Sequence, residues 1–125
     1  MSIVELCRWI IGCSWIYHGL MPKLVHIAPL EQKMTNGFGF GVEASQVLTR
    51  VAGAGEILFG IVFIVFYRSL AINVLNISAL LALLIFVAVI SPVLLIEAFN
   101  PVTTNIPIIA LSAILIMELR SERNA

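Results

Sequence analysis

A glutamate in the middle of an apolar run is the first residue of this sequence that calls for a chemical explanation. Glu56 lies near the centre of Ala44–Phe66, where the only other charge is Arg50. A charged side chain at mid-depth in a bilayer costs about 2.5–3.5 kcal/mol on insertion scales, so it faces the protein interior and has a partner. Thr49, Gly53, Glu56, Gly60 and Phe63 recur at spacings of 4, 3, 4 and 3, which places them on one helical stripe. The two glycines let a second helix approach closely. Glu56 should therefore point into a helix seam. There it can handle a proton or polarise a ligand, with desolvation favouring its neutral form, or it can hydrogen-bond across helices for packing alone. Arg50, roughly 9 Å nearer the headgroups, is placed to snorkel or to neutralise Glu56 through intermediates.

A second stripe, Arg8, Gly12, Trp15 and Gly19 at spacings of 4, 3 and 4, runs along the N-terminal segment with His18 on its flank, just before Pro22. A histidine here can titrate, donate to a carbonyl or ligate a metal. The only other histidine is His26, and no His/Cys spacing of a known metal site is present, so no metal is expected. Cys7 and Cys13 are six residues apart, roughly 9 Å along a helix, too far for a disulfide, and there is no CxxC. Asn73 and Asn76 share a face, as do Asn105 and Ser112, which suits interhelical hydrogen bonding. The long connection Lys23–Glu43 carries Lys23, His26 and Glu31 to the membrane face that also receives Glu97, Asn100 and Asn105. Polar groups converging there form either a ligand pocket or a network that seals the bundle.

The elements that position these residues follow from composition. Apolar residues make up 61% of the chain and charged residues 11%, against about 45–50% and 25% in ordinary globular proteins. A soluble chain of 125 residues could not hide that apolar surface in its core. A soluble enzyme, a disordered chain and a disulfide scaffold are excluded. Lys+Arg and Asp+Glu are 7 each, so no basic excess favours nucleic acid. Four runs are long enough to cross a bilayer: about 3–21, 44–66, 70–96 and 102–119. The expected fold is all-α, a four-helix transmembrane bundle in one domain, 1–125, with consecutive helices joined by short turns as antiparallel neighbours. An interfacial or re-entrant segment lies between the first two spans. Thr103 or Thr104 should cap the last helix, with Pro107 in its first turn. Arg8, Arg68, Arg120 and Arg123 fall on one side, and Lys23, Lys33 and Arg50 on the other. This places both termini in the cytoplasm. The stretch between Arg8 and Cys13 is too short for a signal-peptide core, so the first helix is expected to be retained.

The segments His18-Gly19-Leu20-Met21-Pro22-Lys23-Leu24, Glu31 with Met34, Ala52–Gly60 and Phe99-Asn100-Pro101-Val102-Thr103-Thr104-Asn105 together resemble the DoxX-like family of small bacterial membrane proteins. The resemblance spans most of the chain. It implies a multi-pass inner-membrane protein associated with redox chemistry, since the wider superfamily includes a subunit of a thiosulfate:quinone oxidoreductase. Some members are fused to a soluble reductase domain, which is not found in this sequence. The resemblance carries over His18, Lys23, Glu56, Asn100 and Asn105 as ligand-binding or scaffold positions and supplies no catalytic residue. The reading is a membrane subunit or accessory of a redox system that binds a quinone- or lipid-like ligand, works with a membrane or soluble oxidoreductase, and can form a homo-oligomer. The alternatives are a structural or assembly protein without chemistry of its own, and a small transporter.

Overall fold

The computed structural model describes the backbone of all 125 residues and every side chain except those of Leu30 and Met34. The Met34 side chain, one of the positions in the resemblance above, therefore lies outside the described residues. The chain is all-α, with no strand among the described residues. Helix α1 spans Ile3–Gly19, α2 Pro29–Asn36, α3 Val42–Phe66, α4 Leu70–Ile90 and α5 Pro101–Asn124. Helices α3, α4 and α5 are each long and apolar enough to cross a membrane. Only 22%, 22% and 11% of their most apolar windows is buried within the protein. Leu58, Ile61, Val65, Leu81, Ile85 and Val89 stay exposed. A patch of that extent suits lipid, not water.

Local chemistry sets the boundaries. Ser2 and Glu5 start α1 with a reciprocal capping box, the Ser2 hydroxyl accepting from the Glu5 amide and the Glu5 carboxylate from the Ser2 amide. The first span does not stop at Pro22 as expected. It continues beyond Gly19 as a π-helical turn, Leu20–Val25, closed by a bond from the His26 amide to the Met21 carbonyl. A proline has no N–H to give, and the wider turn absorbs the gap. The expected helix 70–96 is shorter: α4 ends at Ile90, Ser91 leaves helical geometry, and Pro92–Leu95 form a 3₁₀ turn. The residue before a proline is driven out of the α region, which makes Pro92 the cause.

The cap of α5 differs from expectation too. Asn100, not Thr103 or Thr104, accepts the Val102 and Thr103 amides at 3.0 and 3.2 Å. Pro101 takes the first helical position, so Pro107 falls in the second turn and not the first. The two threonines instead donate to the Asn100 carbonyl.

Helix α1 packs along α3 and α5, and α4 packs on α5, whereas α3 and α4 barely touch despite the tight turn between them. The expectation that a short turn makes its two helices close neighbours fails here, because α1 takes up the inner faces of both α3 and α5. The α1–α3 seam is built from glycines. A Cβ on Gly60 would fall 2.7 Å from the Gly12 carbonyl, and one on Gly53 2.6 Å from the Gly19 carbonyl. The two expected stripes thus face each other antiparallel. Trp15 continues the seam, its ring edge-on to Phe59 at 4.9 Å.

Arg8 closes the far end of the seam. Its Nε donates to the Ile64 carbonyl at 2.8 Å and its guanidinium lies over the Tyr67 ring. It thereby satisfies one of the carbonyls left open in the last turn of α3. The expected interhelical asparagines form a buried chain. Trp15 Nε1 donates to Asn76 at 2.6 Å, Asn76 to Ser112 at 3.0 Å, and Ser112 to Asn73 at 3.1 Å, tying α1, α4 and α5 together.

Candidate functional site

The gap between α3 and α4 is a cavity of about 310 Å³ at the end of the bundle that carries α2. All five residues expected from the sequence, His18, Lys23, Glu56, Asn100 and Asn105, line it. Glu31, Glu97 and Thr49 join them. Leu48, Ala52, Leu83, Phe86, Val87 and Leu94 make the remainder largely apolar. Over the mouth, the Phe38 ring stacks on Phe86 at 5.2 Å, so the α2–α3 connection reaches across to α4.

Lys23 is the centre of the polar wall. The glycine contact sets it there, because Lys23 packs on Gly53 and Glu56 on Gly19, so the two side chains flank the contact from opposite sides and meet across it. Its ammonium is 3.0 Å from both oxygens of Glu56, 3.0 Å from Glu31, and 3.3 Å from Nδ1 of His18. The side chain is only 6% exposed. An ammonium has three protons and no acceptor. These three partners occupy all of them. Lys23 comes from the π-helical turn, Glu31 from α2, Glu56 from α3 and His18 from α1, so one cation joins four segments.

The His18 ring accepts from Lys23 only as the neutral tautomer with its proton on Nε2, which leaves an Nε2–H donor for another group. The same Nδ1 lies 3.6 Å from Glu56. Two carboxylates, Glu31 and Glu56, face the one ammonium of Lys23.

Asn100 is held by its own backbone. It caps α5 and donates to the Glu97 carbonyl at 2.8 Å. Asn105 reaches the Leu80 carbonyl at 3.5 Å. Arg50, expected as a distant neutraliser of Glu56, is exposed and plays no part; Lys23 does that work, because it sits on the helix that packs on the glutamate. His26 is also exposed and outside the cavity wall.

Thr49 was legible only as a member of the glycine stripe. It is 2% exposed, and its hydroxyl oxygen has no hydrogen-bond partner among the described residues. One turn away, the hydroxyls of Ser45 and Thr35 pair and tie α2 to α3. A buried hydroxyl without a partner costs about 1–3 kcal/mol, which makes it a spare polar contact in an apolar wall.

A second cavity, of about 550 Å³, lies between α1, α4 and α5. His18, Leu83, Thr104 and Asn105 are walls of both cavities. Tyr17 and Cys13, on the second, are exposed to the lipid-facing surface. His18 and Asn105 thus belong to the wall shared by the polar cavity and this outward-facing one. Among the described residues, no three His, Cys, Asp or Glu side chains gather in a way that could hold a metal ion.

The family model described as the DoxX-like family matches residues 12–113. The chain belongs to the DoxX-like family. The match covers the α1–α3 glycine seam, the whole Lys23 cluster and the Asn100 cap. Neither the curated proteins nor the solved structures contain a match to this DoxX-like chain. Family membership and three span-length apolar helices make it a membrane protein.

Proposed function

We propose that this DoxX-like protein binds a lipid-soluble ligand with hydrogen-bonding carbonyls, a quinone, in the cavity between α3 and α4, and serves a membrane redox system as a subunit or accessory. One observation carries the reading. The buried, unpartnered Thr49 hydroxyl and the His18 ring, whose Nε2 carries a proton when Nδ1 accepts from Lys23, border an apolar cavity of about 310 Å³. Small-molecule sites have this form, apolar walls with a few placed polar groups and volumes from about 300 Å³ upward. A quinone carbonyl is an acceptor, which suits both donors. Lys23 has no proton left to offer, so its part is to hold His18 and Glu56 in place. The five carried-over residues divide accordingly: His18 contacts the ligand, Lys23 and Glu56 orient it, Asn100 shapes the floor by capping α5, and Asn105 stands on the wall shared with the outward-facing cavity.

In this reading α1 with its π-helical continuation is a fourth span, the chain sits in a bacterial inner membrane, and the excess of arginine at the termini and the 67–69 turn keeps both termini cytoplasmic. Quenching of Trp15 fluorescence by a short-chain benzoquinone, in a Trp9→Phe background, tests the site. Saturable quenching is expected, with at least tenfold weaker binding in His18→Ala. Equal quenching in wild type and His18→Ala would rule it out.

A second reading has its own support. Lys23 joins the π-helical turn, α2 and α3 through Glu31 and Glu56, which is also what a purely structural clamp would do. On that reading the cluster seals the end of the bundle for assembly with a partner protein, and substitutions there change stability without touching any binding isotherm.

A further inference from the structure

The end of the bundle opposite Lys23 holds a different kind of site. Arg68 in the α3–α4 turn and Arg120 and Arg123 in the last turns of α5 line a cavity of about 420 Å³. Arg68 is paired with Glu122, Nη1 to Oε2 at 3.0 Å. Arg120 and Arg123 make no ion pair or side-chain hydrogen bond among the described residues. Three guanidiniums against one carboxylate leave two positive charges around the cavity. Leu70 and Asn73, from the first turn of α4, line it as well. One wall is apolar, made by Leu70, Ile116 and Leu119. Fixed positive charge beside an apolar wall, at the end of membrane-crossing helices, matches an amphiphile with an anionic head.

We propose that this cavity binds a phosphate group, that of an anionic phospholipid, with Arg120 and Arg123 clamping the phosphate oxygens and Leu70, Ile116 and Leu119 flanking the glycerol and upper acyl chain. Guanidinium forks match phosphate in bidentate geometry. The two free arginines supply the charge. Arg68, already engaged by Glu122, fixes the turn. The apolar wall selects a lipid over free phosphate, because a hydrated inorganic ion gains nothing from it.

Native mass spectrometry of the full chain in neutral detergent tests this, with phosphatidylglycerol, phosphatidylcholine and inorganic phosphate titrated separately. Phosphatidylglycerol should bind more tightly than phosphatidylcholine. An Arg or Lys near an anionic surface is worth about 1 kcal/mol, so the Arg120→Gln/Arg123→Gln double variant should weaken phosphatidylglycerol binding roughly thirtyfold. Glu122→Gln, which removes the one negative charge, should tighten it, a gain that a misfolded variant could not produce. Arg50→Gln, at the other end of the bundle, should change nothing. Equal binding of the two lipids would overturn the proposal, as would an unaffected double variant or an equal loss in Arg50→Gln. Arginine-dependent binding of inorganic phosphate with none of phosphatidylglycerol would overturn the lipid assignment and make free phosphate the occupant.

Discussion

The Gly19 carbonyl occupies space that any side chain on Gly53 would need, and the Gly53 carbonyl does the same to Gly19. That contact draws α1 and α3 together where Lys23, packed on Gly53, meets Glu56, packed on Gly19. Placing Ala at Gly53 puts a Cβ 2.6 Å from the Gly19 backbone, and backbone cannot swing aside as a flexible side chain can. Gly53→Ala should cost about 1–3 kcal/mol and weaken the Lys23–Glu56 pair. Gly55→Ala, two residues away with nothing within 4 Å of the new Cβ, should be neutral or slightly stabilising. Thermal unfolding in one detergent compares them; equal melting temperatures would contradict the seam.

Lys23→Met should be among the most damaging single changes. It leaves the Glu31 and Glu56 carboxylates facing each other without the cation that holds them. Breaking a buried pair by removing one partner costs about 3–5 kcal/mol. Adding Glu56→Gln and Glu31→Gln to Lys23→Met should recover much of that loss. A triple variant no more stable than the single one would show that packing of the lysine stem, and not charge, holds the cluster.

How much of this could be read from the sequence depends on the range of the interaction. Glu56 and the two glycine stripes were legible, because period 3.6 and the cost of charge in hydrocarbon are local facts. The partner of Glu56 was less so. Lys23 is 33 positions away, and Arg50 on the same helix was the nearer candidate in sequence. Only the docking of α1 on α3 separates them. The shortening of α4 at Pro92 and the Asn100 cap were recoverable from proline and capping rules, but continuous hydropathy through Ile96 masked them. The loose contact between α3 and α4, and hence the cavity itself, has no local signature. It exists because α1 takes the inner face of α3.

The Asn76 chain predicts a different loss. Asn76→Leu leaves the Trp15 N–H without its buried partner, while Ser112 keeps its bond to Asn73. The orphaned indole donor costs about 1–3 kcal/mol. In a Trp9→Phe background, Trp15 emission should shift as well, because its indole donor is released. Unchanged emission would mean that Trp15 does not engage Asn76.

Thr49→Val separates stability from binding. The valine has nearly the shape of threonine but no hydroxyl to leave unpaired. The ligand-free protein should therefore be stabilised by about 1 kcal/mol, with quinone affinity falling by a similar amount. Stability and affinity moving in opposite directions is the expected signature. A structural clamp alone predicts the gain in stability and no change in any ligand.

The central claim, that the cavity between α3 and α4 holds a ligand drawn from the membrane, is tested most directly by native mass spectrometry of the chain released from gently extracted native membrane. Wild type should carry a reproducible adduct of quinone- or lipid-like mass. The adduct should be lost in Glu56→Gln and weakened in Thr49→Val yet retained when Arg120 and Arg123 are both replaced by Gln. A bare chain, or an adduct indifferent to Glu56 and Thr49, would contradict the account and leave the Lys23 cluster as a structural clamp.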